Sequence, residues 1–203
     1  MKIRFPNPFG FTLPSSNRVK EVQKRYNFSD SYASFLLTQN GFFESLFLED
    51  AGNEKYLEVS EIDGYAESGY FYSLDHDDKE YDLIKNNQSH PLSDYFFIIG
   101  TDYVGDEHVE ILKGKHRGWI GRINHESYLG ASLSLNTKEI LEQMGLKTIG
   151  MSDDEICDEL SNDRYDFLLL YARSMKDFTD DCFALCPDAG YGSQVRLYAP
   201  STY

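Results

Sequence analysis

Asp102, Asp106, His108 and Glu110 form the densest run of ligand-type side chains in the sequence. In an extended strand, residues two apart point to one face. His108 and Glu110 would therefore project together, with Asp102 and Asp106 in the loop before them. Hard divalent cations take oxygen ligands of this kind, so one reading of this run is a metal-dependent hydrolase. The competing reading is that these are ordinary solvated loop carboxylates beside one imidazole. Asp75-His76-Asp77-Asp78 has a similar composition, and it lacks the glycine and the distal glutamate of a calcium-binding loop. The five histidines, His76, His90, His108, His116 and His125, show no His-x-x-x-His or His-Glu-x-x-His spacing. Cys182 and Cys186 have no second cysteine pair to close a zinc site. With Cys157 they make an odd count, which reads as idle thiols in a reducing cytoplasm rather than a disulfide framework. There is no Gly-x-Ser-x-Gly elbow and no phosphate-binding loop. Gly190-Tyr191-Gly192 reads as a turn. No spacing selects a catalytic acid–base pair, and no cofactor site is expected.

The elements that must carry these residues alternate between helix and strand signals. Residues 1–16 are rich in proline and aromatics and read as an extended arm. Ser16 or Asn17 is expected to cap a helix that places Val19, Val22 and Tyr26 on one face. A second helix is expected from Ser29, with Tyr32, Phe35 and Leu36 inward, ending at Asn40-Gly41. Phe47-Leu48, Tyr56 to Val59 and Gly69 to Leu74 read as strands. Tyr95 to Ile99 is nearly continuous in apolar residues and is stopped by Gly100, which predicts a strand covered on both faces. His108 to Leu112 and Trp119 to Ile123 follow as strands, joined by the turn Gly114 to Gly118. This run of strands favours an antiparallel sheet over a βαβ repeat. Trp119 reads as a core or sheet residue. Further on, Asn136 to Met144 and the segment after the capping-box pattern Ser152-Asp153-Asp154-Glu155 read as helices. A third helix is expected from Asp163 or Asp166, presenting Phe167, Leu168, Leu170 and Tyr171. Gln194 to Tyr198 reads as a final strand or ordered arm. The fold class predicted is α+β, a mostly antiparallel sheet flanked by helices. Residues 1–150 are taken as the α+β domain and 151–203 as a helical extension packed on it.

Charge is distributed unevenly. The chain of 203 residues has a formal charge of -15, and residues 44–110 alone hold 18 acidic against three basic residues. Aromatics at 15% argue against disorder. Nucleic acid and anionic membranes are polyanions, so both are disfavoured as partners, whereas the same field favours a basic protein. No apolar run approaches the ~20 residues that cross a bilayer. The N-terminal residues lack the apolar stretch of a secretory signal, and a cytoplasmic location is expected.

The segment from Phe28 to Gly41, with Tyr32, Phe35, Leu36 and a terminal Asn40-Gly41, resembles the N-terminal signature of the SUKH superfamily. Phe97 to Asp102 is similar to that family's apolar strand running into a Gly-containing loop. Gly118 to Glu126 resembles its strand ending in Asp-His-Glu, with Asn124 in place of the aspartate. Asn136 to Met144 matches the helix that commonly follows. The resemblance spans roughly residues 16–145; the acidic insert around 50–90 and the segment after 150 lie outside it. It implies a domain without catalysis. Many bacterial members look like immunity proteins that neutralise a toxin delivered by a neighbouring cell, and eukaryotic relatives include regulatory scaffolds. Toxins that cut nucleic acid need basic clefts, so an acidic protein suits their inhibition. The contacts expected for a basic toxin domain are Asp75, Asp77, Asp78, Asp102, Asp106, Glu107 and Glu110. His125 and Glu126 fall at a family motif and are expected to hold a loop.

Overall fold

Serine caps start the first two helices. In the computed structural model of the chain, which describes residues 12–43, 46–50, 53–57, 70–88, 90–102, 105–127, 137–162 and 165–184, α1 spans Ser16–Tyr26. Its cap is Ser15, one residue before the expected position, with Oγ accepting from the Arg18 N–H. Asn27 stops α1 in the left-handed region at φ 61°, a conformation asparagine tolerates. Ser29 then caps α2, Asp30–Thr38. The expected N-terminal arm is described only from Thr12, whose carbonyl accepts from the Asn40 side chain.

The described residues form eight strands. They are β1 (Phe42–Phe43), β2 (Leu46–Asp50), β3 (Asn53–Leu57), β4 (Tyr70–Phe71), β5 (Phe96–Thr101), β6 (Glu107–Ile111), β7 (Ile120–Ile123) and β8 (Leu168–Ala172). β2 and β3 form a separate hairpin. The other six make one antiparallel sheet in the order β1-β4-β5-β6-β7-β8. The α+β class is therefore the one observed. Helices α3 (Leu83–Gln88), α4 (Thr137–Gln143), α5 (Asp153–Leu160) and α6 (Met175–Ala184) complete the described elements. The Ser152/Glu155 capping box of α5 forms as its spacing predicts.

Phe96 and Phe97, adjacent in β5, point to opposite faces and both are buried. Phe97 packs against Tyr26 of α1, Tyr32 of α2 and Phe28 between them, and Phe96 against Phe167. The sheet thus has core on both sides, as the continuous apolar run of β5 predicts.

Two assignments change. The helix expected from Asp163 or Asp166 is instead the strand β8, paired with β7. A Leu-Leu-Leu-Tyr run has no period that separates helix from strand. The ladder groups on the outer side of β7 require a partner, and that requirement selects the extended form. Among the described residues after 150, a helix, a strand and a helix follow one another, and the strand belongs to the main sheet. α3 and α6 were not legible, and the expected strand Gln194 to Tyr198 and Cys186 lie outside the described residues.

Asn87 extends the pairing of β5 where β4 is too short to do so. Its Oδ1 accepts from the Ile98 N–H at 2.8 Å, and its Nδ2 donates to the Ile98 carbonyl at 2.7 Å. Asn40 does the same for Leu74. These two buried amides tie α3 to β5 and the segment after α2 to the segment after β4. Among the described residues no helix is long and apolar enough to cross a membrane.

Candidate functional site

The turn from β5 to β6 is organised by carboxylates that accept hydrogen bonds inside the fold. Asp102 Oδ1 accepts from the N–H groups of Gly105 and Asp106, at 3.0 and 2.8 Å, and Oδ2 faces Arg122 at 3.3 Å. Asp106 Oδ1 accepts from the His125 N–H at 3.0 Å and lies 2.6 Å from His125 Nδ1. Its Oδ2 lies 3.3 Å from Arg122 Nε. Asp102 and Asp106 are only 4% and 7% exposed. A buried charge persists where it is paired and hydrogen-bonded. Here Arg122 on β7 supplies the pair, and the short 3-10 turn His125–Ser127 supplies the other donors.

Glu110 has a different structural duty. It is 1% exposed and pairs with Phe97 in the β5–β6 register, on the sheet face beneath the α1–α2 junction. Its carboxylate accepts from the Ser29 N–H at 2.6 Å and from Ser29 Oγ at 3.0 Å. A sheet residue thereby satisfies a donor at the start of α2. Burial pushes its carboxyl up to about 7, opposed by the Ser29 hydrogen bonds and by Arg117. The folded chain therefore holds a proton on Glu110 at pH values where the unfolded chain has released it, and stability falls as pH rises from about 4.5 to about 7. Glu110→Gln keeps an acceptor for the Ser29 N–H and supplies a donor to Ser29 Oγ. It should match the wild type near pH 4 and exceed it above pH 8 by up to ~3 kcal/mol. Urea denaturation of both proteins across that range checks the sign. An unchanged pH slope in the variant would remove this account of Glu110.

The four residues of the metal reading are not brought together. His108 is buried with its ring stacked on Phe71 at 5.0 Å, Glu110 is spent on Ser29, and Asp102 and Asp106 are held by Arg122. Among the described residues no three His, Cys, Asp or Glu side chains are placed to hold a metal ion.

The seven expected partner contacts also separate. Asp102, Asp106 and Glu110 are buried, and their carboxylates are engaged inside the fold by Arg122, His125 and Ser29. Glu107 is half-buried, 2.9 Å from His90 Nε2. His90 Nδ1 accepts from the Leu92 N–H, so Nε2 carries the hydrogen toward Glu107. Asp75, Asp77 and Asp78 are exposed. Asp75 holds Arg18 through both oxygens, at 2.8 to 3.1 Å, and raises the guanidinium above its ordinary value. Asp78 Oδ1 accepts from the Glu80 N–H, leaving Asp77 and Glu80 directed outward from the same loop.

At the base of this loop, Tyr70 and Tyr81 meet edge to face at 4.9 Å, and His76 lies against Tyr81. Tyr70 Oη reaches Glu80 at 3.4 Å. Burial and the neighbouring Glu80 push the Tyr70 hydroxyl up to about 12. The surface so formed combines exposed carboxylates with partly buried aromatic rings. Only its acidic half was legible, because Tyr70 and Tyr81 carry no pattern that marks them as neighbours.

Trp119 is partly buried against the core, as its sheet position predicts, with His116 on one edge and the Arg173 guanidinium 5.7 Å from its ring.

No family model matches the chain, and neither a curated protein nor a solved structure does.

Proposed function

We propose that the protein is a binding protein of the immunity type, SUKH-like, that neutralises a basic toxin domain in the cytoplasm and performs no catalysis. The observation that carries this reading is the loop from Asp75 to Glu80. It holds Asp77, Asp78 and Glu80 exposed beside the aromatic pair Tyr70 and Tyr81. Interfaces favour partly buried tyrosines as anchors. Exposed like charges raise the rate at which a cationic partner is captured. Asp102, Asp106 and Glu110, which a catalytic reading would need, are already spent on Arg122, His125 and Ser29.

The test is co-expression with a toxin encoded beside this gene, followed by association kinetics on the purified pair. Rescue of growth supports the reading, and a stable complex should form more slowly as salt is added. The combined substitution D77N/D78N/E80Q should slow association about 10-fold at low ionic strength and much less at high salt. Growth arrest unaffected by this protein would defeat the proposal. A rate indifferent to salt would defeat its electrostatic half.

A further inference from the structure

A groove lies at the far side of the sheet from the Asp75 loop in strand order, between the His125–Ser127 turn and β8. It encloses about 520 Å³ and is lined by Asp106, Arg122, His125, Glu126, Asp166 and Leu169 among others. We infer that this groove takes the guanidinium side chain of an arginine from the basic partner. The inference rests on the binding reading above and assigns that reading a specific pocket.

The first support is the orientation of His125. Asp106 Oδ1 accepts from the His125 N–H and Oδ2 faces Arg122 Nε, so Asp106 is fully engaged as an acceptor. The hydrogen in the 2.6 Å contact with His125 Nδ1 therefore sits on the imidazole. With Nδ1 turned to Asp106, Nε2 is the ring nitrogen left for the groove that this side chain lines, and it accepts when the ring is unprotonated.

The second support is charge. Arg122 is offset by two carboxylates, Asp102 and Asp106, so it does not make the groove cationic. Glu126 and Asp166 are exposed at the rim and add two further negative charges. Asp166 is held by its backbone: it sits in the left-handed region at φ 46°, and its carbonyl accepts from Ser127 Oγ at 2.9 Å.

The third support is shape. Leu169, opposite Arg122 in the β7–β8 register, is 48% exposed. An exposed leucine beside carboxylates suits a side chain that is apolar along its stem and cationic at its head. Arginine fits better than lysine because its planar fork presents five donors to a groove lined by two carboxylates and an imidazole.

The probe is N-acetyl-arginine amide, titrated into the full chain while the His125 ring and Leu169 methyl resonances are followed by NMR. The citrulline analogue, neutral and nearly isosteric, is the control. Saturable shifts at both residues with arginine and none with citrulline are expected. E126Q/D166N, which alters only exposed side chains, should weaken the arginine response at least ~5-fold. Equal responses to the two ligands, or no saturable response to arginine, would overturn the assignment without any variant being made. The titration contains no toxin. A positive titration with failed growth rescue would retire the immunity reading alone, and a negative titration with successful rescue would retire the groove alone.

Discussion

Asp106→Ala should destabilise the protein by about 3 kcal/mol, at the low end of the cost of breaking a buried ion pair because Arg122 retains some solvent. The substitution removes the acceptor for the His125 N–H and for His125 Nδ1, and it strips Arg122 of one of its two carboxylates. Asp102 remains, but it already accepts from Gly105 and Asp106 and cannot replace the lost bonds. For a chain of this size the cost corresponds to a fall in Tm of about 6–12 °C. Asp106→Asn should cost less, since its amide oxygen can still accept from the His125 N–H. Thermal unfolding of the two variants side by side checks the order. If the alanine and asparagine variants melt with the wild type, the turn is held by its backbone alone and the carboxylate is dispensable.

Gly100→Ala is expected to cost a similar amount by a different route. Gly100 is buried in β5 where β4 crosses it. A Cβ there would lie 2.5 Å from the Tyr70 carbonyl oxygen and 3.0 Å from the Phe71 Cα. Both obstacles are backbone atoms, so no side-chain rotation relieves them. The sheet must open between β4 and β5, and overpacking of this kind costs about 1–3 kcal/mol or more. The damage should be local. The Tyr72 amide, which donates to the Ile99 carbonyl, should lose hydrogen-exchange protection well before the amides shared by β6 and β7. A uniform loss of protection, or none, would contradict the assignment of Gly100 as the close-approach point.

Much of the architecture could be read from local signals. Ser29, the capping box at Ser152 and Glu155, and the apolar run of β5 each describe an interaction between residues close in sequence, or a burial requirement met on both faces. Such signals survive because helix caps and strand periodicity depend on neighbours a few residues away. β8 shows the limit. Leu168 to Tyr171 has no period that decides between the expected helix and a strand, and it becomes a strand because β7 presents backbone groups that need a partner. The same limit governs the acidic residues. In sequence, Glu110 and Asp77 are both carboxylates in one negative stretch. In the fold, Glu110 accepts from Ser29, the cap residue of α2, 81 residues earlier, and Asp77 stands in solvent.

The sequence by itself determined the α+β class, the strand-rich middle and the excess of negative charge, since composition and short-range periodicity do not depend on how distant segments meet. Only the tertiary structure decided which carboxylates face outward. A side chain's solvation is set by whatever packs over it, and for Asp102, Asp106 and Glu110 the covering groups come from Arg122, His125 and Ser29. The grouping of His125 with Asp166 and Leu169 arises in the same way, because β8 returns some 40 residues later to lie beside β7.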